Sequence, residues 1–592
     1  ATPKRADVEE KPEVRKAGGV YYTPEYIVRY IVSNTVGKLI DGKTPDEIAP
    51  MAFADIACGS GSFLIEVYSE LLEYHERWYN ENPGKAKIAD VQNRDGRLVL
   101  SLKKRQEILT NNIYGVDIDF QATEVTQLSL YLKLLEDVTM NDAYQFSLIK
   151  EKILPDLRNN IICGNSLIGT DILEGDLFEK SDEKKLNPMN FEDVFPKVMR
   201  CGGFDAIVGN PPYGAELNVL EKRFLSKKFN GFHGNQDVYT CFIEQALSRL
   251  KEKGCFALIV PSAWLGGPNY QPLRKVLLSW KIKKIILLPY DIFTDAYIDT
   301  LIFKTEKILA DSTNTVDTYS YGKREKIISI DEADLAIKAI KQQTWIEAQD
   351  NKFILDPFVS TIIDRIRSKT SITFESILMT KRGVLFDKTL LTEKKKTDLG
   401  FKYFQGDVYR YHTNLNIKYW IEFDDKIKER PKETIWFEGE RILLRRLVNR
   451  QQRLMASIVN ERFITNKNLY SILRKSDDCD YKYILGIINS KLISFLYINQ
   501  ITQAVKDDFP QITIKDFQNL PFPNPEKKYE NVIVRLVEQI LSAKEQLSIA
   551  KTDAERNRLE MLCNSLDRQI DQAVYELYGL TEEEIKVVEG EK

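Results

Sequence analysis

The tetrapeptide Asn-Pro-Pro-Tyr at residues 210–213 combines residue types that can act on an amino group. Pro211 and Pro212 fix the backbone, so the Asn210 side-chain oxygen and the Pro211 carbonyl are held at a constant angle. Both oxygens accept hydrogen bonds, and the exocyclic amino group of a base offers two N–H donors. Two fixed acceptors would draw that nitrogen toward tetrahedral geometry and stabilise the positive charge that develops as it receives a methyl group. Tyr213 would offer a flat face on which a base taken out of the double helix can stack.

A glycine-containing loop, DIACGSGSFL at residues 55–64, precedes this tetrapeptide in the sequence. Gly59 and Gly61 allow a tight turn and a close approach of the backbone to a ligand. Because only two glycines are present, the pyrophosphate fingerprint is incomplete, and the loop suits an adenosine ligand without pyrophosphate, such as S-adenosylmethionine. Taken alone, the same loop is equally compatible with an ordinary strand-to-helix turn.

A carboxylate closes the next apolar run, GVDID at residues 115–119. An acid at the end of the second strand of a nucleotide-binding fold accepts hydrogen bonds from ribose hydroxyls, which is the role we predict for Asp117. The segment around residues 80–111 makes its separation from the glycine loop longer than usual. The prediction therefore depends on its position at a strand end.

Seven short apolar runs must position these residues, at 53–58, 113–118, 160–165, 204–210, 254–261, 283–290 and 299–306. They alternate with helical patterns, which predicts a mostly parallel, doubly wound sheet. The segment DIFTDAYI between the last two runs is too short for a crossover helix, so the last strand is predicted to be antiparallel. The fold class is thus α/β, a seven-stranded Rossmann-like methyltransferase sheet.

Changes in composition and pattern predict five segments: a tail at 1–17, the α/β domain with the motifs above at 18–309, a helical connector at 310–369, a mixed α/β domain at 370–525 and C-terminal helices at 526–592. In the last segment one apolar stripe is predicted to pack inward, formed by Leu559, Leu562, Leu566, Ile570, Ala573 and Leu577. Gly579 is a predicted helix stop, and Thr581 with Glu584 has capping-box spacing.

Composition restricts the class of protein. Of the 592 residues 43% are hydrophobic and 29% are charged, with no long apolar run, which favours a soluble cytoplasmic protein without membrane contact. Seven scattered cysteines without a C-x-x-C pair, and only three histidines, argue against a disulfide framework and against a metal site. The net charge of −3 does not indicate nucleic-acid binding, although it can conceal local basic patches.

The motifs, in this order along the chain, resemble those of the gamma-class (TaqI-like) DNA amino-methyltransferases, in which cofactor motifs precede NPPY and a target-recognition domain follows. The resemblance implies S-adenosylmethionine as cofactor, held by Tyr22, Thr23, Pro24, Asp55, Cys58, Gly59, Ser60, Gly61, Asp117, Ile118 and Asn165. The family position of Asn165 is more often Asp. Phe293 resembles the family aromatic that packs on the flipped base opposite Tyr213, with a core phenylalanine as the alternative.

The resemblance extends to residues 370–525, which look like the target-recognition domain fused to restriction-modification methyltransferases. An arginine can donate two hydrogen bonds to a phosphate or to guanine, so the arginines of residues 439–453 are predicted to face DNA. The alternative is that they line a solvated strand. They are Arg441, Arg445, Arg446, Arg450 and Arg453. A loop after NPPY is predicted to approach the phosphate backbone through Lys222, Arg223, Lys227 and Lys228. The junction near residue 19 resembles that of type IIG enzymes, in which a nuclease precedes the methyltransferase; such a domain or subunit would be absent from this chain.

The sequence thus predicts a site-specific DNA adenine-N6 methyltransferase that acts on double-stranded DNA, as part of a restriction-modification or phage-defence system. Cytosine-N4 methylation uses the same chemistry and stays open. NPPY also occurs in enzymes that methylate RNA bases or protein glutamines, which usually lack a large C-terminal domain. A DNA-binding subunit with a vestigial cofactor pocket is the non-enzymatic alternative.

Overall fold

The structure is a computed structural model that describes residues 22–136, 138–139, 152–174, 186–293, 298–322, 325–449, 451–500, 511–523 and 526–590. The predicted tail at 1–17 lies outside these residues. The chain divides into two compact units, Ala1–Leu355 and Asp356–Lys592.

The first unit is built on one large sheet, whose strands are β1 (Phe53–Asp55), β4 (Ile113–Asp117), β5 (Ile161–Cys163), β6 (Phe204–Gly209), β7 (Leu250–Pro261), β8 (Trp280–Leu287), β9 (Thr300–Leu309), β10 (Thr315–Ser320) and β11 (Lys338–Lys341). Their spatial order is β11-β10-β8-β9-β7-β6-β1-β4-β5. Strands β5, β4, β1, β6 and β7 are parallel neighbours. Their carboxyl ends therefore meet at one edge of the sheet.

All seven predicted strands are present in this sheet. As predicted, β9 is antiparallel, and it pairs with both β7 and β8. The predicted strand count is wrong, because two further strands widen the sheet: β10 runs parallel to β8, and β11 runs antiparallel to β10. Both lie in the predicted helical connector at 310–369, so that prediction is wrong for its first half. The polar, alternating segment TVDTYS has one buried face on the sheet, and its buried side chains are Val316 and Thr318.

Helices cover the sheet, and the longer ones of this unit are α1 (Glu25–Val32), α2 (Ser62–Glu81), α3 (Leu102–Asn112), α4 (Phe120–Leu135), α5 (Val219–Lys228), α6 (Tyr239–Arg249) and α7 (Gln271–Leu278). A small hairpin of β2 (Val91–Arg94) and β3 (Arg97–Leu100) accounts for the insertion between α2 and α3. The apolar faces of sheet and helices form one continuous core. Its side chains come from both ends of the unit, including Ile27 and Phe353.

The second unit begins with α8 (Pro357–Lys369) and continues into short strands. These are β12 (Ile372–Thr373), β13 (Leu378–Arg382), β14 (Gly400–Tyr403), β15 (Asp407–Tyr409), β16 (His412–Asn414), β17 (Tyr419–Glu422), β18 (Arg441–Arg445), β19 (Ala456–Val459), β20 (Phe463–Ile464), β21 (Leu469–Arg474) and β22 (Pro521–Phe522). They form a four-stranded sheet, β13-β21-β18-β19, a three-stranded sheet, β17-β14-β20, and two-stranded pairs. This mixture of small sheets agrees with the predicted change of character after residue 370.

The C-terminal part of the unit is helical, with α9 (Tyr481–Asn489), α10 (Lys491–Gln500), α11 (Lys527–Ile549), α12 (Asp553–Leu577) and α13 (Glu582–Glu589). The predicted stripe on α12 is buried at Leu559, Leu566, Ile570 and Ala573. It is wrong at Leu562, which is 46% exposed, because Cys563 occupies the inward position instead. The helix ends at Leu577 before Gly579, which has a φ of 62°, and the predicted capping box opens α13.

Among the described helices, none combines the length and the apolar character that crossing a lipid bilayer requires.

Candidate functional site

The glycine loop connects β1 to α2 at the carboxyl edge of the sheet, as predicted. Gly59 and Gly61 have φ angles of 52° and 85°, a region that side chains with a Cβ rarely adopt. A Cβ at Gly61 would lie 2.8 Å from the Thr126 side chain, whereas a Cβ at Gly59 would project into open space. The Thr126 hydroxyl donates to the Gly59 carbonyl over 2.8 Å. Helix α4 therefore fixes the loop, and the backbone at Gly59 faces room for a ligand.

Asp117 lies at the end of β4, beside this loop. Its carboxylate accepts the N–H of Gly59 over 2.8 Å and the N–H of Asp119 over 2.9 Å. Burial raises the pKa of Asp117, although these two N–H groups act in the opposite direction. The neighbouring Ile118 is 54% exposed, which is unusual for an isoleucine next to a buried strand. The structure thus brings the predicted ribose acceptor into direct contact with the predicted cofactor loop.

A second carboxylate, that of Asp55, lies on the other side of the loop at the end of β1. It accepts the N–H of Ala57 over 3.0 Å and is only 2% exposed. Burial raises its pKa to about 7, and the negative charge of Asp117 contributes to the shift. A Cβ at Gly209 would lie 2.6 Å from the Asp55 Oδ1 atom. Gly209 precedes NPPY, so the glycine loop and NPPY are adjacent at neighbouring strand ends.

The NPPY segment leaves the sheet where β6 ends at Gly209. The Asn210 side-chain nitrogen donates to the Thr23 hydroxyl over 3.1 Å, and Thr23 is buried. Pro24 is the residue that precedes α1, whereas Tyr22 is 75% exposed. Residues 187 positions apart in the sequence therefore meet at the site. This contact joins the N-terminal motif, which the sequence only suggested, to the predicted catalytic asparagine.

The two predicted base-stacking rings, Tyr213 and Phe293, lie next to each other. Their centroids are 6.2 Å apart, with an angle of 67° between the ring planes. This is an edge-to-face contact, and both side chains are buried. A base that stacks on Tyr213 between the two rings would require them to separate first.

Asn165 lies just beyond β5, at the predicted strand end, but its amide group is used within the turn. Its oxygen accepts the N–H groups of Leu167 and Ile168, and its nitrogen donates to the Leu186 carbonyl over 3.1 Å. These bonds fix the backbone of the turn. A contact of the Asn165 oxygen with adenine would have to replace one of them, because both lone pairs of that oxygen are used.

The basic segment after NPPY is a helix, not the predicted loop. Asn218 caps α5 in a capping box with Glu221. Lys222, Arg223 and Lys227 are exposed on this helix. Lys228 is directed inward at its tip, since its ammonium group donates to the Leu167 carbonyl over 2.9 Å.

Three of the arginines of residues 439–453 bond within the second unit: Arg441, Arg445 and Arg453. The prediction that they face DNA is wrong for Arg441, whose fully buried guanidinium donates to the backbone carbonyls of Gly439 and Glu461. Arg445 pairs with Asp407 over 3.0 Å, and Arg453 pairs with the buried Asp571 over 3.3 Å. The Arg446 backbone N–H donates to the Asn468 carbonyl over 2.9 Å, and the Arg446 carbonyl accepts the N–H of Ile512 over 2.7 Å. Arg450 lies outside the described residues.

Sequence reasoning missed two polar side chains that hold the site. Thr126 binds the glycine loop from α4. Asp237 accepts the N–H of Gly214, the residue after Tyr213, over 2.8 Å. Neither has a signature of its own, because each acts through a single contact that only the packing of the helices creates. No cluster of three or more histidine, cysteine or acidic side chains suited to a metal ion occurs in the described part of the chain.

Part of each unit matches a known protein family. The family described as "Eco57I restriction-modification methylase" matches residues 111–293, which include Asp117, NPPY and Phe293. The family described as "TaqI-like C-terminal specificity domain" matches residues 401–522. The resemblance predicted from the motifs is thereby confirmed.

Two similar proteins carry functional names. The putative type II restriction enzyme and methyltransferase RM.MjaORFECS2P of Methanocaldococcus jannaschii is 27% identical over 708 aligned residues, covering 93% of this chain and 58% of that protein. The adenine-specific methyltransferase BrxX of Escherichia coli is 24% identical over 374 residues, covering 46% of this chain and 29% of that protein. The chain thus spans less than two thirds of either relative.

A solved structure has a similar fold. The type IIL restriction-modification enzyme MmeI in complex with DNA aligns with a TM-score of 0.63 at 14% identity, over 97% of this chain and 78% of that one.

Proposed function

We propose that the chain is a site-specific DNA methyltransferase that moves a methyl group from S-adenosylmethionine to adenine N6. The proposal is supported by the match of residues 111–293 to the Eco57I restriction-modification methylase family and of residues 401–522 to the TaqI-like C-terminal specificity domain. Adenine is favoured over cytosine because a relative of this chain is named as an adenine-specific methyltransferase. RNA bases and protein glutamines are disfavoured because the chain carries a specificity domain matched to DNA-modifying relatives.

The observation that carries the proposal is the meeting of three distant motifs at one sheet edge. Thr23 contacts Asn210 at 3.1 Å, and the Asp55 carboxylate lies against Gly209. Asp117 in turn binds the backbone of the glycine loop at 2.8 Å. Ligands of open α/β sheets bind at such an edge, outside the carboxyl ends of the strands.

The residues of the edge suit S-adenosylmethionine. Bound there, this cofactor would supply an electrophilic methyl group on a positively charged sulfur. The buried Asp55 carboxylate and the half-buried Asp117 carboxylate suit a ligand that carries cationic groups and ribose hydroxyls. Gly59 leaves open space toward the ligand, and the exposed Ile118 offers an apolar surface for an adenine ring.

Asn210 and Pro211 would act on the amino group of the target base. In the observed orientation the Asn210 nitrogen is bonded to Thr23, so the acceptor role belongs to its Oδ1 atom. That oxygen and the Pro211 carbonyl would accept hydrogen bonds from the two N–H groups of the target amino group. They would thereby stabilise the positive charge that grows on its nitrogen. Transfer would be direct, because the chain has no Pro-Cys pair to supply a covalent nucleophile.

Sequencing of treated DNA tests the proposal. The protein is incubated with S-adenosylmethionine and unmethylated bacterial DNA, and modified bases are mapped by single-molecule sequencing. We expect N6-methyladenine at one recurrent motif. N4-methylcytosine would replace the adenine assignment, and unmodified DNA despite intact cofactor binding would contradict a DNA substrate for this chain.

The variant Asn210→Ala tests the assigned centre. We expect methylation to fall at least about 100-fold, since an acceptor aimed at developing charge contributes on the order of 3 kcal/mol. Cofactor affinity measured by calorimetry should change little. Asn80→Ala removes an exposed asparagine from α2 and serves as the control. Equal activity in the Asn210 and Asn80 variants would remove Asn210 from the mechanism.

A further inference from the structure

Asp237 lies two residues before the start of α6, and its side chain contacts the residue that follows NPPY. Its Oδ2 atom accepts the N–H of Gly214 over 2.8 Å. Gly214 follows Tyr213 directly and has a φ of 78°, a conformation that glycine adopts without strain. The bond therefore fixes the backbone at the point where the chain turns away from the predicted base-stacking ring.

The segment that carries Asp237 is itself held firmly. The neighbouring Gln236 accepts the N–H of His233 over 2.8 Å and donates to the Asn269 carbonyl over 2.6 Å. Two residues beyond Asp237, the buried ring of Tyr239 stacks on Tyr270, with centroids 6.2 Å apart and an interplanar angle of 20°. These contacts place the Asp237 carboxylate on a rigid support.

Two side chains thus hold NPPY from opposite ends. Thr23 binds Asn210 at the start of the segment, and Asp237 binds Gly214 just after its end. The prolines between them have few backbone conformations. With both ends fixed, the Pro211 carbonyl and the Tyr213 ring have little freedom relative to the sheet.

From this arrangement we infer that Asp237 is a positioning residue for methyl transfer, which sets the NPPY segment through the Gly214 N–H. The inference rests on the proposed function of the site. Its physical basis is that a displacement of reacting groups by about 1 Å can cost about 100-fold in rate. Asp237 acts through the backbone of its neighbour, and its contribution should therefore appear in turnover.

Two variants of Asp237 separate positioning from charge. Asp237→Ala removes the acceptor, and we expect kcat for DNA methylation to fall between about 10- and 100-fold. Asp237→Asn keeps an oxygen that can accept the Gly214 N–H, and we expect kcat within about threefold of the wild type. The KM for DNA and the cofactor dissociation constant should stay within about twofold in both variants.

Asp205→Ala is the matched control. Asp205 lies near the start of β6, the strand whose other end leads into NPPY. Asp205 also accepts a backbone N–H, that of Ala52 over 2.8 Å, and pairs with Lys251 over 2.6 Å. It contacts neither NPPY nor the glycine loop in these bonds. We expect this variant to be less stable to denaturant but to keep its kcat.

The inference fails if Asp237→Ala keeps the wild-type kcat, or if Asp237→Ala and Asp205→Ala lose activity in equal measure. It also fails if Asp237→Asn is as impaired as Asp237→Ala, because the charge would then matter and not the bond. Hydrogen exchange of the peptide around residues 213–216 gives a readout that is independent of activity. We expect faster exchange in Asp237→Ala and unchanged exchange in Asp205→Ala. Unchanged exchange in Asp237→Ala would overturn the inference. This readout applies even if the wild-type chain leaves DNA unmodified and the proposed function is thereby refuted.

Discussion

At the scale of single residues, one buried and one half-buried carboxylate define the proposed cofactor site. Asp55 and Asp117 lie at the ends of adjacent parallel strands and flank one glycine loop. Burial raises the pKa of both groups, and for Asp55 it reaches about 7. A positively charged ligand would recover part of the cost of ionising them. The ligand and the proton are thus expected to compete.

Cofactor affinity should therefore depend on pH near neutrality. The pKa of Asp55 is raised to about 7, so the carboxylate is lost as pH falls through that value. If only the ionised form binds a cation, affinity at pH 6 should be about tenfold lower than at pH 8. Calorimetric titration with S-adenosylmethionine at the two pH values measures this. Asp55→Asn should bind weakly with a flat profile, and an equally steep profile in that variant would assign the effect to another group.

Gly209 is predicted to tolerate no side chain. A Cβ there would lie 2.6 Å from the Asp55 Oδ1 atom, which is buried and already bonded to the Ala57 N–H. We expect Gly209→Ala to lose about 1–3 kcal/mol of unfolding free energy in urea denaturation, as overpacked cores do, and to lose methylation. Gly84→Ala is the control, because a Cβ at Gly84 meets nothing within 4 Å. Comparable stability of the two variants would contradict the close approach.

At the scale of elements, ion pairs join the C-terminal helices to the small sheets of the second unit. Arg410, at the turn between β15 and β16, pairs with Asp567 of α12. Arg453 pairs with Asp571 of the same helix, and the Lys491 N–H donates to Asp571 over 2.6 Å. Arg453, which the sequence suggested for DNA contact, therefore helps to assemble the unit.

Removal of Asp571 should destabilise the second unit strongly. Asp571→Ala would leave the largely buried Arg453 guanidinium without its acid, and loss of one partner of a buried pair costs about 3–5 kcal/mol. The free energy of unfolding from denaturant titration measures this. Asp553→Ala removes the exposed acid at the start of α12, 3.8 Å from Arg556, and should cost less than about 1 kcal/mol. Equal losses in the two variants would show that burial gives Asp571 no special role.

At the scale of the whole molecule, the chain consists of two compact units. Residues up to Leu355 contain the glycine loop and NPPY, and residues from Asp356 contain the match to the specificity domain. The boundary lies beyond the predicted end of the methyltransferase domain at 309, because β10 and β11 complete the sheet. Each unit has a hydrophobic core of its own, as expected of separately folding domains.

Separation of the units should therefore separate cofactor binding from site selection. A chain that ends at Leu355 should fold and bind S-adenosylmethionine with an affinity within about threefold of the full chain, since the cofactor residues all precede that point. It should leave DNA unmodified at the recognition motif. Calorimetry and sequencing of treated DNA give the two readouts. Site-specific methylation by the shorter chain would show that recognition does not need residues 356–592.

The sequence by itself determined the seven main strands, the glycine loop, NPPY and the family, because apolar runs and turn residues act locally. Only the tertiary structure decided which side chains are exposed and which are used in contacts within the protein. The sequence pattern of Arg441, Arg445 and Arg453 is the same whether these side chains face DNA or bond within the protein. Arg441 donates to backbone carbonyls, and Arg445 and Arg453 pair with acids up to 118 residues away. Likewise, the polar strand β10 depends on pairing with β8, and the edge strand β11 depends on pairing with β10. Contacts such as those of Asp237 with Gly214 and Thr23 with Asn210 arise from packing between elements far apart in the chain, and local patterns do not encode them.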